Sequence, residues 1–61
     1  MSKPTYAVRG KDGQYVHLDG AVWTSTSRDL ARNYAIKQGA ISIIELRTRK
    51  GVTYALKEED L

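Results

Sequence analysis

Gly10-Lys11-Asp12-Gly13-Gln14-Tyr15-Val16-His17-Leu18-Asp19-Gly20 carries two Asp-Gly steps with one short alternating run between them. Asp-Gly readily reaches the positive φ that tight hairpin turns demand, so each step is a strong short-range hairpin signal. Gln14 to Leu18 has room for one strand, with Val16 and Leu18 on one face and Tyr15 and His17 on the other. Upstream, Thr5 to Arg9 alternates in the same way, setting Tyr6 and Val8 against Thr5, Ala7 and Arg9. Downstream, Ala21 to Thr24 can add a third short strand carrying Trp23. The first third of the chain is therefore predicted to be an antiparallel meander.

A helix follows. Ser25-Thr26-Ser27 offers hydroxyls that can accept from the first helical amides, and Thr26 to Asp29 has capping-box spacing with Asp in place of Glu. Asp29 suits the positive end of the helix dipole, and Gly39 is a natural stop. Leu30, Ala31, Tyr34 and Ala35 fall on one arc of about 140°, which is the face expected to lie on a sheet. Arg28, Arg32, Asn33 and Lys37 occupy the opposite side, with Ile36 among them.

Ala40 to Arg47 is β-branched and too short for a second helix. Ile41 and Ile43 share one face, whereas Ile44 and Leu46 share the other, so this strand is either covered twice or bulged. Thr48-Arg49-Lys50-Gly51 turns into a last strand, Val52 to Leu56, and the acidic tail, residues 58–61, is expected to fray. The predicted class is α+β: a small antiparallel sheet of four to five strands with one helix on one face, in the order β-β-(β)-α-β-β. One helix covers one sheet face. The apolar residues of the second face call for another cover, and a homodimer is the expectation.

Sixty-one residues make a single domain, 1–61, with a small core: a chain of this size buries only about 60% of the surface its unfolded form exposes. No Cys is present to form a disulfide, and one His cannot build a zinc site, so no metal or other cofactor is expected. No run of 18 apolar residues exists, and Met1-Ser2-Lys3-Pro4 lacks a signal-peptide core, so the expectation is a cytoplasmic protein without membrane contact. The formal charge is +3, but residues 57–61 hold three of the seven acids and one of the ten bases. The remaining body carries nine Lys/Arg against four Asp/Glu, a mild bias toward anionic partners.

No catalytic constellation emerges. Ser25, Thr26 and Ser27 precede an apolar helix, where capping explains them, and His17 is the only imidazole available as a base. Asp12 and Asp19 both precede Gly in turns, and Glu45 has cross-strand cations within reach, so an enzyme is not expected. Gly10-Lys11-Asp12-Gly13 matches the GXXG of KH domains in letters only, because strands rather than helices flank it. Two binding surfaces are conceivable. Tyr15, His17, Trp23 and Ile36 offer the residue types that recur at protein hot spots. Arg28, Arg32 and Lys37 on the helix, with Arg47, Arg49 and Lys50 on the second hairpin, could meet a phosphate backbone. Trp23 also has a plainer role, closing the end of the core.

Tyr6-Ala7-Val8-Arg9, Lys11-Asp12-Gly13-Gln14-Tyr15, Val22-Trp23-Thr24 and Leu30-Ala31-Arg32-Asn33-Tyr34 together resemble short phage and prophage accessory proteins with the pattern Y-x-V-x-x-K-D-G-x-Y, W-T, then a helix. The resemblance spans roughly residues 5–35. It implies a protein acting in the bacterial host cytoplasm by binding and modulating, for example inhibiting, a host macromolecule, and it assigns no catalytic residue. A weaker likeness is to three-stranded DNA-binding sheets backed by a helix, such as plant AP2 domains and integrase arm-binding domains. The second hairpin departs from that pattern. The sequence reading is thus a non-enzymatic, phage-encoded binder of a host protein, with a DNA- or RNA-binding accessory protein as the alternative.

Overall fold

The computed structural model describes residues 3–61. β1 (Thr5–Arg9) lies inside a four-stranded antiparallel sheet of order β4-β1-β5-β6, formed with β4 (Thr24–Ser25), β5 (Ser42–Arg49) and β6 (Val52–Asp60). β2 (His17–Leu18) and β3 (Ala21–Val22) form a separate two-stranded hairpin, and α1 (Arg28–Gln38) packs across the larger sheet. This is the α+β arrangement expected from the sequence.

The meander is looser than predicted. Asp19 and Gly20 both take positive φ, 55° and 82°, as a two-residue hairpin turn requires. That turn, however, closes β2 on β3 and does not extend a sheet from β1. The Gly10–Gly13 loop returns the chain only as far as an isolated Arg9–Tyr15 bridge and a bond from Val16 N–H to the Val8 carbonyl. β4 takes the free edge of β1 instead, with Tyr6 opposite Ser25 and Ala7 opposite Thr24. Trp23 accounts for this route. It stacks on Tyr34 of the helix, ring centroids 4.2 Å apart and planes 14° from parallel, and so draws the residues that follow it alongside β1.

Ser27, not Thr26, caps the helix: its hydroxyl accepts from Leu30 N–H at 3.2 Å. Gly39 ends it at φ 68°, donating to the Ala35 and Ile36 carbonyls. Ala31 and Ala35 are fully buried and let the helix lie close on the sheet. Leu30, expected on that face, is 52% exposed; Tyr34 supplies the bulk through its stack on Trp23.

β5 is apolar on both faces because both are covered. Ile43 joins Val8 and Ala35 under the helix, with Trp23, Tyr34, Val16 and Ala40 around them. Ile44 and Leu46 join Ala7 on the opposite face, where Tyr15 packs over them. Ile43 and Ile44 are each 1% exposed, enclosed by the chain's own helix and loop. A homodimer was expected from an uncovered second sheet face, and the cover over Ile44 and Leu46 removes that premise. A register shift between Glu45 and Leu46 marks the anticipated irregularity as well.

The acidic end, expected to fray, is placed in a strand. β6 runs through Glu58 and Glu59 to Asp60, opposite Ile44, Ile43 and Ser42. Two ion pairs hold it: Arg9 to Glu58 at 2.8 Å, and Arg28 to Glu59.

Candidate functional site

The four residues proposed as a protein-binding patch are not brought together. Tyr15 packs on the Ala7–Ile44–Leu46 face, whereas Trp23 lies on the helix side with Val8, Ala35 and Ile43. His17 sits on the exposed β2–β3 hairpin, its Nδ1 2.8 Å from the Tyr15 carbonyl oxygen. Ile36 is exposed on the outer side of the helix. Tyr15 and Trp23 thus serve opposite halves of the interior.

The cations divide into two groups. Arg28 is occupied, its Nε donating to Glu59 at 3.2 Å, with Asp29 3.8 Å from a terminal nitrogen. Arg32 and Lys37 are exposed farther along the helix. Arg47, Arg49 and Lys50 sit at the far end of β5, six residues beyond Ile43 in the case of Arg49, or about 20 Å at the usual strand rise. Tyr6, Glu45, Lys57 and Glu59 lie between, around a notch of about 40 Å³ beside Arg28. No single basic track joins helix and hairpin.

Arg9 is structural. Its guanidinium takes both Glu58 oxygens, at 2.8 and 3.2 Å, donates to the Gly13 carbonyl at 2.8 Å, and stands 5.4 Å from the centre of the Tyr15 ring. It therefore ties β1, the Gly10–Gly13 loop and β6 together. The bond from Arg9, then that from the Ser42 hydroxyl at 2.5 Å, holds the Glu58 carboxyl below its ordinary range. The same bond to Glu58 raises Arg9 above its own ordinary value.

The second hairpin expected from the sequence is present as a longer β5–β6 ribbon, and what sequence reasoning did not place is its outer edge. β1 pairs with β5 only over Ser42–Leu46, so the ribbon runs on beyond it from Arg47 to Tyr54. Lys50 and Gly51 turn it at φ 53° and 78°. β6 is the last strand of the sheet, so one of its edges has no strand beside it. Val52, Thr53, Tyr54, Ala55 and Leu56 form an uncharged run on that edge. Val52, Tyr54 and Leu56 are 64%, 38% and 49% exposed. The alternation of these three was visible in the sequence; their place on an edge was not, because strand order depends on which strands pair at long range.

Cross-strand pairing gives the ribbon two unlike faces. Arg47 stands opposite Tyr54 and Arg49 opposite Val52. On the other face Thr48 and Thr53 share a 2.8 Å hydrogen bond, and Leu46 stands opposite Ala55. That second face borders an open groove of about 410 Å³ whose lining includes Tyr15, Val22, Thr24, Leu46, Tyr54 and Ala55 and no charged group. Among the described residues, no cluster of three or more His, Cys, Asp or Glu is placed to hold a metal, and no helix is long and apolar enough to cross a membrane.

No protein-family model, no curated protein and no solved structure matches the chain.

Proposed function

We propose that this chain is a non-enzymatic binding protein that engages a partner protein by strand addition at the free edge of β6. One observation carries the reading: five consecutive uncharged residues, Val52 to Leu56, lie on an unpaired edge with their larger apolar side chains exposed. An open edge offers a row of N–H and C=O groups to an incoming backbone, and natural sheets normally blunt such edges with charge, proline or bulges. Here the charges lie at the two ends of the run, and the register shift, which leaves Leu56 without a partner between the Glu45–Lys57 and Leu46–Ala55 pairs, leaves the regular edge Val52–Ala55 open. The resemblance of residues 5–35 to phage accessory proteins supports a phage-encoded protein acting on a host protein in the bacterial cytoplasm. The nucleic-acid alternative retains Arg47, Arg49 and Lys50, but the helix cations stand apart from them, and Arg28 is already paired.

The test compares immobilised wild type with a Val52→Lys/Leu56→Lys variant, both substitutions being at exposed positions, in nuclease-treated bacterial lysate. A protein retained by the wild type and lost by the variant, whose purified complex slows amide exchange across residues 52–56, is the expected result. Equal retention by both, or unchanged exchange in β6, would remove the edge from the mechanism.

A further inference from the structure

We infer that the segment received at the β6 edge is an extended acidic one, with carboxylates alternating with small apolar residues. The inference rests on the strand-addition reading above and adds the chemistry of the partner. Its basis is the charge around the edge. From Leu46 to Lys57 the chain contains no carboxylate, and this stretch holds Arg47, Arg49, Lys50 and Lys57. Arg49 and Lys50 stand at the start of the uncharged run and Lys57 at its end. Arg47 lies opposite Tyr54, in the middle. Arg47 Nε is closed off from solvent and has no hydrogen-bond partner among the described residues. Buried polar groups of this kind ordinarily find a partner.

Glu45 stands opposite Lys57, but no acid of the chain stands opposite Arg47 or Arg49. Glu58 is held by Arg9 and Ser42, and Glu59 by Arg28. A second copy of the chain pairing through its own β6 edge would bring the same carboxylate-free stretch, Leu46 to Lys57, which makes it a poor match for these cations. A nucleic acid would supply charge but no amide ladder, and phosphates gain nothing from exposed Val52 and Leu56. An acidic strand meets both requirements. Its backbone continues the sheet, and successive side chains point to opposite faces. Those beside Val52 and Tyr54 share a sheet face with Arg47 and Arg49, which stand one strand farther in, whereas those beside Thr53 and Ala55 meet the uncharged groove. The two faces of the ribbon thus specify an alternating partner.

The test uses fluorescent eight-residue probes: alternating Glu and Val, alternating Lys and Val, a Glu–Val peptide with two interior residues replaced by proline, and a twelve-nucleotide single-stranded DNA. The full chain binds the Glu–Val probe best at low salt, and titration slows amide exchange across residues 52–56. Arg49→Glu/Lys50→Glu, at exposed positions, weakens that probe about tenfold, on the scale of a few surface charge contacts, and favours the Lys–Val probe. A circular dichroism spectrum like that of the wild type certifies the variant's fold. If it has lost its fold, Arg49→Ser alone serves, with a smaller loss expected. Equal binding of the proline-interrupted probe would overturn strand addition itself. Tighter binding of the DNA would replace the peptide with a polyanion. No preference for Glu–Val over Lys–Val, or no binding of either at millimolar concentration, would overturn the acidic partner. The lysate experiment would then show whether the edge reading survives without it.

Discussion

Replacing Trp23 by alanine separates an interior role for this residue from a surface one. A tryptophan side chain buries on the order of 150–250 Å², and at about 25 cal/mol per Å² its full removal from water is worth roughly 4–6 kcal/mol. Trp23 is only partly buried, which lowers the figure to about 3 kcal/mol. Loss of the stack on Tyr34 adds about 1 kcal/mol. Against this stands the stability of a 61-residue domain, about 3–9 kcal/mol at the usual value per residue. Trp23→Ala should therefore remove a large part of the stability, whereas Trp23→Phe keeps a stacked ring and should cost about 1–2 kcal/mol. Urea unfolding followed by far-ultraviolet circular dichroism gives both values without relying on the lost fluorophore. A Trp23→Ala midpoint within about 0.5 kcal/mol of wild type, the range of ordinary surface substitutions, would refute the packing argument. Trp23 would then be free to act as a recognition residue.

Ser27→Ala should destabilise by about 1 kcal/mol through loss of the cap on Leu30 N–H, while Thr26→Ala should be close to neutral; a reversed order in thermal melts would restore the capping box at Thr26. Gly39→Ala places a Cβ on a backbone at φ 68° and 3.3 Å from Lys11 Cε; the lysine can move, but the left-handed strain should cost about 1–2 kcal/mol and lower the melting temperature by several degrees. Glu58 makes its contribution with its carboxyl held below the ordinary value of 4.5, so that contribution is present above this pH and is lost as acid titrates through the lower folded value. Glu58→Gln should flatten the acid limb of the stability–pH curve, and an unchanged slope in chemical denaturation between pH 5 and 2 would show the Arg9–Glu58 pair to be energetically silent.

Local chemistry made much of this protein readable residue by residue. The Asp19-Gly20 turn, the stop at Gly39, the buried Ala31 and Ala35, and the two-sided apolar pattern of β5 all follow from φ preferences and side-chain periodicity within a few positions of one another. Partner choice between strands is not local. Nothing within Ser42–Arg49 says that Tyr15, nearly thirty positions earlier, will cover Ile44, and that single packing event removes the premise on which a second subunit was expected. Likewise Glu58, Glu59 and Asp60 look like a solvated tail until folding brings Arg9 and Arg28 beside the first two. Strand order left β6 outermost and put Val52, Tyr54 and Leu56 on an open edge. Side-chain pattern encodes which face of a strand is apolar, but long-range backbone pairing decides which strand is last in the sheet.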